Sequence, residues 1–231
     1  MLRRFLILMA EEIMFRRNEE MLDADGRHGG MGMRRRAVPK SIHNLFSAVL
    51  LAGGRSTRMG RDKAALEIEG EPLWSRQLAI LRATGSSELF ISGRPDGPYA
   101  ESGVPIIEDL TPDTGPLAAL EAVLPRIANP HVIVLAIDLP AMRADFLAAL
   151  VQTPLAKDCS VVPEINGRFE PLAAVYAPSL LPLVIECLHG RDHSMQNLLR
   201  KANQSGLVIA HPVRAEERSF FKNLNSPIDL A

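Results

Sequence analysis

The stretch Phe46–Ala52 has the sequence FSAVLLA, a continuous apolar run of strand length that ends at the pair Gly53–Gly54. Apolar character without alternation is typical of a strand covered on both faces, as in a parallel sheet. The run HVIVLA at residues 131–136 has the same character and predicts a central strand. Around these runs, short apolar segments alternate with segments of helical periodicity. This alternation predicts βαβ units and a mostly parallel sheet.

The remaining elements are predicted from the same periodicities. Helices are expected at residues 72–83, 115–126, 143–152, 179–188 and 194–202, and further strands at 88–92, 104–108, 159–163, 169–177 and 207–211. Ser226–Pro227 predicts the start of a short final helix, because serine caps helices and proline fits their first position.

Composition favours one ordinary globular α/β domain. The chain has 231 residues, of which 47% are hydrophobic and 23% charged, with 26 Lys and Arg against 27 Asp and Glu. The resulting net charge of -1 provides no global basic field for a nucleic-acid partner. The two cysteines lack metal-type or CxxC spacing, which favours a reducing cytoplasm. No apolar run approaches the roughly 20 residues of a membrane span.

Residues 1–44 differ from the rest, so the domain is expected to comprise residues 45–231. The apolar run Phe5–Ala10 stops at Glu11–Glu12 and is shorter than the roughly 7–15 residues of a signal-peptide core. The following residues are rich in Gly and Arg and lack hydrophobic periodicity. We expect a flexible tail or a start codon assigned too early, and a docking or targeting segment is the alternative.

The loop after the first strand, LAGGRSTRMGRDKA at residues 51–64, carries the strongest chemical signal. Glycines lack a Cβ, so the backbone N–H groups of Gly53 and Gly54 are expected to approach an anion closely. Arginine and lysine side chains are suited to phosphate oxygens; the loop has four of them, Arg55, Arg58, Arg61 and Lys63. The spacing matches neither a P-loop nor a G-x-G-x-x-G fingerprint. A solvated basic turn is the alternative.

Asp138 follows the central strand directly and is expected to face the same crevice as the glycine loop. A carboxylate there can hold Mg²⁺, which prefers oxygen ligands and substrate phosphates. The alternative is a turn residue before Pro140.

Two further segments carry polar groups. Glu108 and Asp109 end a predicted strand before Gly115, and a carboxylate there could accept from a ribose hydroxyl or from paired N–H donors of a base. Asn223 and Asn225 alternate on a short segment, so extended backbone would point their amides the same way, towards Mg²⁺ or an acceptor substrate. A charged loop and a turn before a capped helix are the respective alternatives.

In this order, the segments resemble the molybdenum cofactor guanylyltransferases from about Phe46 to Leu230. The matching motifs are Leu51-Ala-Gly-Gly-Arg-Ser-x-Arg-Met-Gly-x-Asp-Lys63, Glu108-Asp109 before Gly115-Pro-Leu, Asp138-x-Pro140, Glu170-Pro-Leu172 and Asn223-x-Asn225. The resemblance implies a three-layer Rossmann-like nucleotidyltransferase fold with helices on both faces of the sheet. It also implies a cytoplasmic enzyme that uses Mg²⁺ to transfer GMP from GTP to the terminal phosphate of molybdopterin, with release of pyrophosphate. The enzyme is also expected to make transient contact with molybdenum-insertion proteins. Neither nucleic acid nor a membrane is expected as a partner.

The resemblance also implies roles for individual residues. The residues expected to bind the nucleotide are Leu51, Ala52, Gly53, Gly54, Lys63, Ser92, Asp109 and Asp138. Catalysis is expected of Arg58, Lys63 and Asp138, and metal binding of Asp138. The acceptor is expected to be bound by Arg168, Asn223 and Asn225. Ser92 stands where family members usually carry an asparagine. The alternatives are a CTP-dependent molybdopterin cytidylyltransferase, a sugar-1-phosphate nucleotidylyltransferase and a non-catalytic GTP-binding regulator.

Overall fold

The computed structural model describes residues 46–53, 63–111, 114–153, 158–190 and 193–224. Its strands are β1 (Ser47–Leu51), β2 (Glu67–Ile68), β3 (Glu71–Pro72), β4 (Glu88–Ser92), β5 (Ile106–Ile107), β6 (Val132–Ala136), β7 (Ser160–Ile165), β8 (Arg168–Phe169), β9 (Ala173–Tyr176) and β10 (Val208–Pro212). Its α-helices are α1 (Leu73–Ala83), α2 (Pro116–Val123), α3 (Ala144–Gln152), α4 (Leu181–His189) and α5 (Met195–Gln204). Short 3₁₀ turns cover Lys63–Ala65, Ala100–Ser102, Pro178–Leu180 and Ala215–Phe221.

One sheet organises the described residues, in the strand order β10-β7-β9-β6-β1-β4-β5, with β8 paired to β7. The pairs of β1 with β4 and β6, of β4 with β5, and of β7 with β10 are all parallel. Strand β9 runs antiparallel to both β6 and β7, and β8 runs antiparallel to β7. The expectation of a mostly parallel α/β sheet is therefore confirmed.

Both faces of the sheet are covered, which explains why its central strands are continuously apolar. In β1, Val49 packs into one core with helices α2, α4 and α5, while Ala48 and Leu50 pack into a second core with α1 and α3. All five residues of β1 and all five of β6 are buried. The three-layer arrangement follows directly from this alternation.

Three local differences from the predicted elements have identifiable causes. The β2–β3 hairpin was not predicted, because its strands are too short to show a period; it turns through Glu69–Gly70, both at positive φ. The strand expected at 169–177 is divided into β8 and β9 by the Glu170–Leu172 segment, which contains Pro171. Helix α2 ends at Val123 instead of Arg126, because Pro125 has no N–H to continue it.

Residues 1–45 and the predicted helix at Ser226–Pro227 lie outside the described residues, so the expected tail, domain boundary and final helix stay predictions. Within the part of the chain that the structure describes, no helix has the length and apolar character needed to cross a bilayer.

Candidate functional site

The carboxyl ends of neighbouring parallel strands define the site, which we call the carboxyl edge of the sheet. Leu51, the last residue of β1, is paired with Ser92 of β4 on one side and Ala136 of β6 on the other. The loops that follow β1, β4, β5 and β6 therefore leave the sheet side by side. This is the edge at which open α/β sheets bind ligands.

Lys63 and Asp138 form a charged pair at this edge. Lys63 Nζ lies 3.7 Å from Asp138 Oδ2, and the two side chains are only 23% and 21% exposed. The second carboxylate oxygen, Asp138 Oδ1, is buried and has no hydrogen-bond partner among the described residues. An ionised carboxylate with one buried, unpaired oxygen is costly unless a cation or donor completes it. The arrangement is therefore suited to a further positive ligand.

The C-terminal segment is attached to the same pair. The N–H of Leu224 donates to the backbone oxygen of Asp138 at 2.8 Å, and the carbonyl of Leu224 accepts from Lys63 Nζ at 3.0 Å. The Leu224 side chain is itself buried. Phe146 packs edge-on against both Phe220 and Phe221, which anchors the preceding turn. Exposed Asn223 is thereby held beside Asp138, where the sequence predicted a site residue.

A second polar pair lies at the ends of β4 and β5. The hydroxyl of Ser92 donates to Asp109 Oδ1 at 3.2 Å, and Ser92 is fully enclosed. Burial raises the pKa of the Asp109 carboxyl above its usual range, and the Ser92 hydrogen bond acts in the opposite direction. Asp109 Oδ2 faces Gly53: a Cβ placed on that glycine would lie 3.7 Å from it. Gly53 thus leaves the approach to Asp109 open.

The backbone at the end of the first strand differs from the expectation that the Gly53 N–H approaches an anion. The N–H groups of Ala52 and Gly53 both donate to the carbonyl of Ser92, at 2.8 and 2.9 Å. The Gly53 N–H is therefore engaged within the sheet edge in this structure and is not presented to an anion. The Leu51 and Ala52 side chains are buried in the two cores. These residues shape the edge through their backbone.

The loop after β4 packs around a buried tyrosine that sequence patterns did not indicate. The Tyr99 hydroxyl accepts the N–H of Arg94 at 2.8 Å. A Cβ on Gly93 would lie 2.0 Å from the Tyr99 hydroxyl, and one on Gly97 would lie 2.4 Å from its ring. Only glycine allows the backbone to pass this close. The loop beside Asp109 is consequently packed around a single fixed ring.

Arg168 and Glu170 lie further along the same edge. The strand registers place Ile165, the last residue of β7, level with the residues just beyond β6. Arg168 of β8 pairs with Ile165 and therefore lies at the same edge. Gln196 of α5 holds the intervening Phe169, donating to its carbonyl at 2.7 Å and accepting its N–H at 3.2 Å. Burial raises the pKa of the half-buried Glu170 carboxyl, with the charge of Arg168 opposing the shift.

The structure thus brings Lys63 and Asp138 together, with Asn223 next in sequence to Leu224, which contacts both, and it pairs Ser92 with Asp109 on the same edge. Gly54, Arg58 and Asn225, and with them Arg55 and Arg61, lie outside the described residues. Among the described residues, no group of three His, Cys, Asp or Glu side chains forms a ready metal cage.

Comparison with known proteins decides the family. The model of the MobA-like NTP transferase domain matches residues 48–207. The chain belongs to this family. It is 34% identical to the molybdenum cofactor guanylyltransferase of Serratia proteamaculans over 190 residues, covering 81% of this chain and 93% of the relative. The molybdenum cofactor guanylyltransferase of Xanthomonas euvesicatoria is 33% identical over 189 residues, with the same coverage. Membership makes this MobA-like chain a nucleotidyltransferase enzyme.

Solved structures show the same architecture. Molybdopterin-guanine dinucleotide biosynthesis protein A from Archaeoglobus fulgidus matches with a TM-score of 0.66 and 24% identity, over 80% of this chain and 94% of its own. The 4-diphosphocytidyl-2C-methyl-D-erythritol synthase of Anaerococcus prevotii matches with a TM-score of 0.62 and 11% identity, over 81% and 93%. These likenesses confirm the nucleotidyltransferase fold.

Proposed function

We propose that the enzyme transfers GMP from GTP to the terminal phosphate of molybdopterin or its molybdenum form. A phosphate oxygen of the acceptor attacks the α-phosphorus of GTP, the bond to the β-phosphate breaks, and pyrophosphate leaves. The observation that carries the proposal is the Lys63–Asp138 pair, with its unpaired buried oxygen, on the same edge as the Ser92–Asp109 pair. The names of the Serratia and Xanthomonas relatives support the choice of GTP and acceptor.

Lys63 and Asp138 would act at the phosphates. The Lys63 ammonium can leave Asp138 and follow a phosphoryl oxygen while the carbonyl of Leu224 keeps it at the edge. The reaction needs no protein nucleophile because the attacking phosphate is already ionised. The protein contributes positioning and neutralisation of the charge that develops at the α-phosphate. From the sequence, Arg58 and Gly54 would join Lys63 in that role.

The donor set of Asp138 fits Mg²⁺. Enzymes of this class generally use a divalent metal, and Asp138 Oδ1 is a buried carboxylate oxygen without a partner among the described residues. Mg²⁺ is usually bound by one or two carboxylates together with substrate phosphates, so a three-residue cage is not required. Bound there, the ion would neutralise phosphate charge. Asp138 would hold it, with Asn223 on the adjacent segment as a further oxygen ligand, and from the sequence Asn225 would join them.

The base would lie at the opposite end of the edge. Asp109 follows β5 and Asp138 follows β6, on opposite sides of the first strand, so the two carboxylates suit different parts of an elongated nucleotide. Asp109 Oδ2 can accept guanine N1–H and N2–H₂, while Ser92 occupies Oδ1. The backbone of Leu51, Ala52 and Gly53 forms the wall between the two ends.

The acceptor would enter from the β7–β9 side, where Arg168 offers a charge for its phosphate beside the Asn223 segment. Transient contact with molybdenum-insertion proteins belongs to the same proposal. We place the reaction in the cytoplasm, in keeping with the two free buried cysteines, Cys159 and Cys187.

An acceptor panel tests the proposal. Purified protein is incubated with GTP and Mg²⁺ plus molybdopterin, or plus a sugar 1-phosphate, and products are identified by mass spectrometry. We expect the guanine dinucleotide and pyrophosphate to form when molybdopterin is the acceptor, and no product to form with the sugar 1-phosphate. Product formation only with the sugar phosphate would contradict the proposal and favour the sugar-1-phosphate alternative.

A further inference from the structure

Gln77 is a fully buried polar side chain on the inner face of helix α1, between Leu73 and Leu81 in the helical repeat. Its amide nitrogen faces three backbone carbonyls at and just beyond the end of β6. Nε2 lies 3.3 Å from the oxygen of Ala136, 3.4 Å from that of Ile137 and 2.8 Å from that of Leu139. Carbonyl oxygens only accept, so the nitrogen must be the atom that faces them.

These contacts bracket Asp138 on both sides. The one carbonyl in this run that Gln77 does not contact, that of Asp138 itself, accepts the N–H of Leu224 at 2.8 Å. The carbonyls of residues 136–139 are thus all engaged at the point where the chain leaves the sheet. The backbone that carries the Asp138 carboxylate is fixed from two directions, and its Oδ1 stays unpaired.

We propose that Gln77 is the positioning residue for Asp138, setting the place at which its carboxylate meets the metal and phosphates. The inference rests on the proposed role of Asp138. The hydrogen bonds of Gln77 go to backbone carbonyls and its side chain is fully buried, so it acts by orientation and not on the substrate. The Asp138 carboxylate must lie within bonding distance of the metal, so a small displacement of it should lower turnover strongly. The affinity for a nucleotide held at the Asp109 end should change little.

The principal test is Gln77→Met, which keeps length and apolar volume but removes the amide donor. We expect kcat to fall by about 10- to 100-fold, the range of a displacement near 1 Å. Binding of Mn²⁺, a paramagnetic stand-in for Mg²⁺, to the enzyme–GTP complex should weaken when followed by electron paramagnetic resonance. GTP affinity without divalent metal should remain that of the wild type.

Asn129→Leu is a matched control. Asn129 is also buried, and its amide nitrogen donates to three acceptors, Ser47 Oγ, Ser87 Oγ and Glu88 Oε2, at 3.0, 2.9 and 3.0 Å. It lies at the opposite edge of the sheet, where β1 and β6 begin. Its loss should lower the melting temperature about as much as Gln77→Met but leave kcat and Mn²⁺ binding unchanged. Equal losses of kcat in both variants would overturn the positioning role.

Gln77→Glu gives a second, pH-dependent readout. An ionised carboxylate repels the three carbonyls, whereas the protonated acid can donate one hydrogen bond. The ratio of variant to wild-type kcat should therefore rise as the pH is lowered from about 8.5 to about 6. A ratio that falls as the pH is lowered would overturn the proposal, as would wild-type kcat and Mn²⁺ binding in Gln77→Met.

Asp138→Asn separates this inference from the proposed function. If Asp138→Asn keeps wild-type turnover, the role of Asp138 fails, and the positioning role of Gln77 falls with it. If Asp138→Asn loses turnover and Gln77→Met does not, only the inference about Gln77 is wrong.

Discussion

The substitution Asp138→Asn is expected to separate activity from stability. It keeps the shape of the side chain and the backbone carbonyl that accepts from Leu224, but it removes the negative charge beside Lys63. Lys63 retains its hydrogen bond to the carbonyl of Leu224, so its ammonium is not stranded. The fold should survive, while the group proposed to hold the metal is lost.

The stability change can be bounded from the geometry. Two unit charges about 4 Å apart attract by about 1 kcal/mol in water and about 4 kcal/mol at the effective dielectric constant near a protein surface. The two side chains are only 23% and 21% exposed, so water screens their attraction only in part and it lies between these limits. Removing a carboxylate whose Oδ1 is buried and unpaired offsets part of the loss. The free energy of unfolding should fall by less than about 3 kcal/mol, the loss expected on breaking a fully buried pair.

Turnover should fall by on the order of 10²-fold or more, as when an enzyme loses one key electrostatic stabiliser. The assay is the initial rate of dinucleotide formation across a Mg²⁺ titration, with urea unfolding measured on the same preparation. Wild-type turnover at saturating Mg²⁺ would refute the metal role. A stability loss above about 3 kcal/mol would show that the pair is chiefly structural.

Three further predictions follow from other parts of the chain. Lys63→Ala should raise the GTP requirement and slow transfer by roughly 10- to 150-fold, because a charge-assisted contact is worth about 1.5–3 kcal/mol; unchanged GTP affinity and turnover together would contradict this. Burial lowers the folded-state pKa of His131, so the folded state binds fewer protons than the unfolded state. Its contribution to stability should be present above the unfolded value of about 6.5 and lost as the pH falls from there through the lower folded-state pKa, and urea unfolding should show a shallower acid-side slope in His131→Leu. Deletion of residues 1–43 should leave folding and activity nearly unchanged, because that segment lacks a periodic apolar face; a melting temperature several degrees lower, or an inactive protein, would contradict it.

The central strands could be predicted from the sequence because their burial on both faces is recorded in their composition. Strand β4 was predicted with its observed bounds, Glu88–Ser92, and β6 to within one residue. The sequence did not predict features that consist of only two or three residues. The two-residue strands of the β2–β3 hairpin have no measurable period, and the break between β8 and β9 is a three-residue segment inside a run that predicts one strand.

Asp138 and Asp109 could be selected from the sequence because each is an acidic residue that directly follows an apolar strand. Gln77 could not, because the carbonyls that it contacts lie 59 to 62 positions further along the chain. Its only local sign is a polar residue inside the apolar stripe of α1. The role of Leu224 depends on its backbone groups, which no side-chain pattern reveals. The engagement of the Gly53 N–H by Ser92 likewise required the register of β1 and β4.

Nucleotide choice tests the central claim most directly. Initial rates are measured with molybdopterin as acceptor and GTP, ATP, CTP or UTP at matched concentrations, and each product is identified. A site that accepts the N1–H and N2–H₂ of guanine leaves its acceptors unpaired with adenine, at a cost of about 1–3 kcal/mol for each buried group. We expect GTP to give the highest rate and the guanine dinucleotide as product. A CTP rate equal to or above the GTP rate would contradict the guanylyl assignment and favour the cytidylyltransferase.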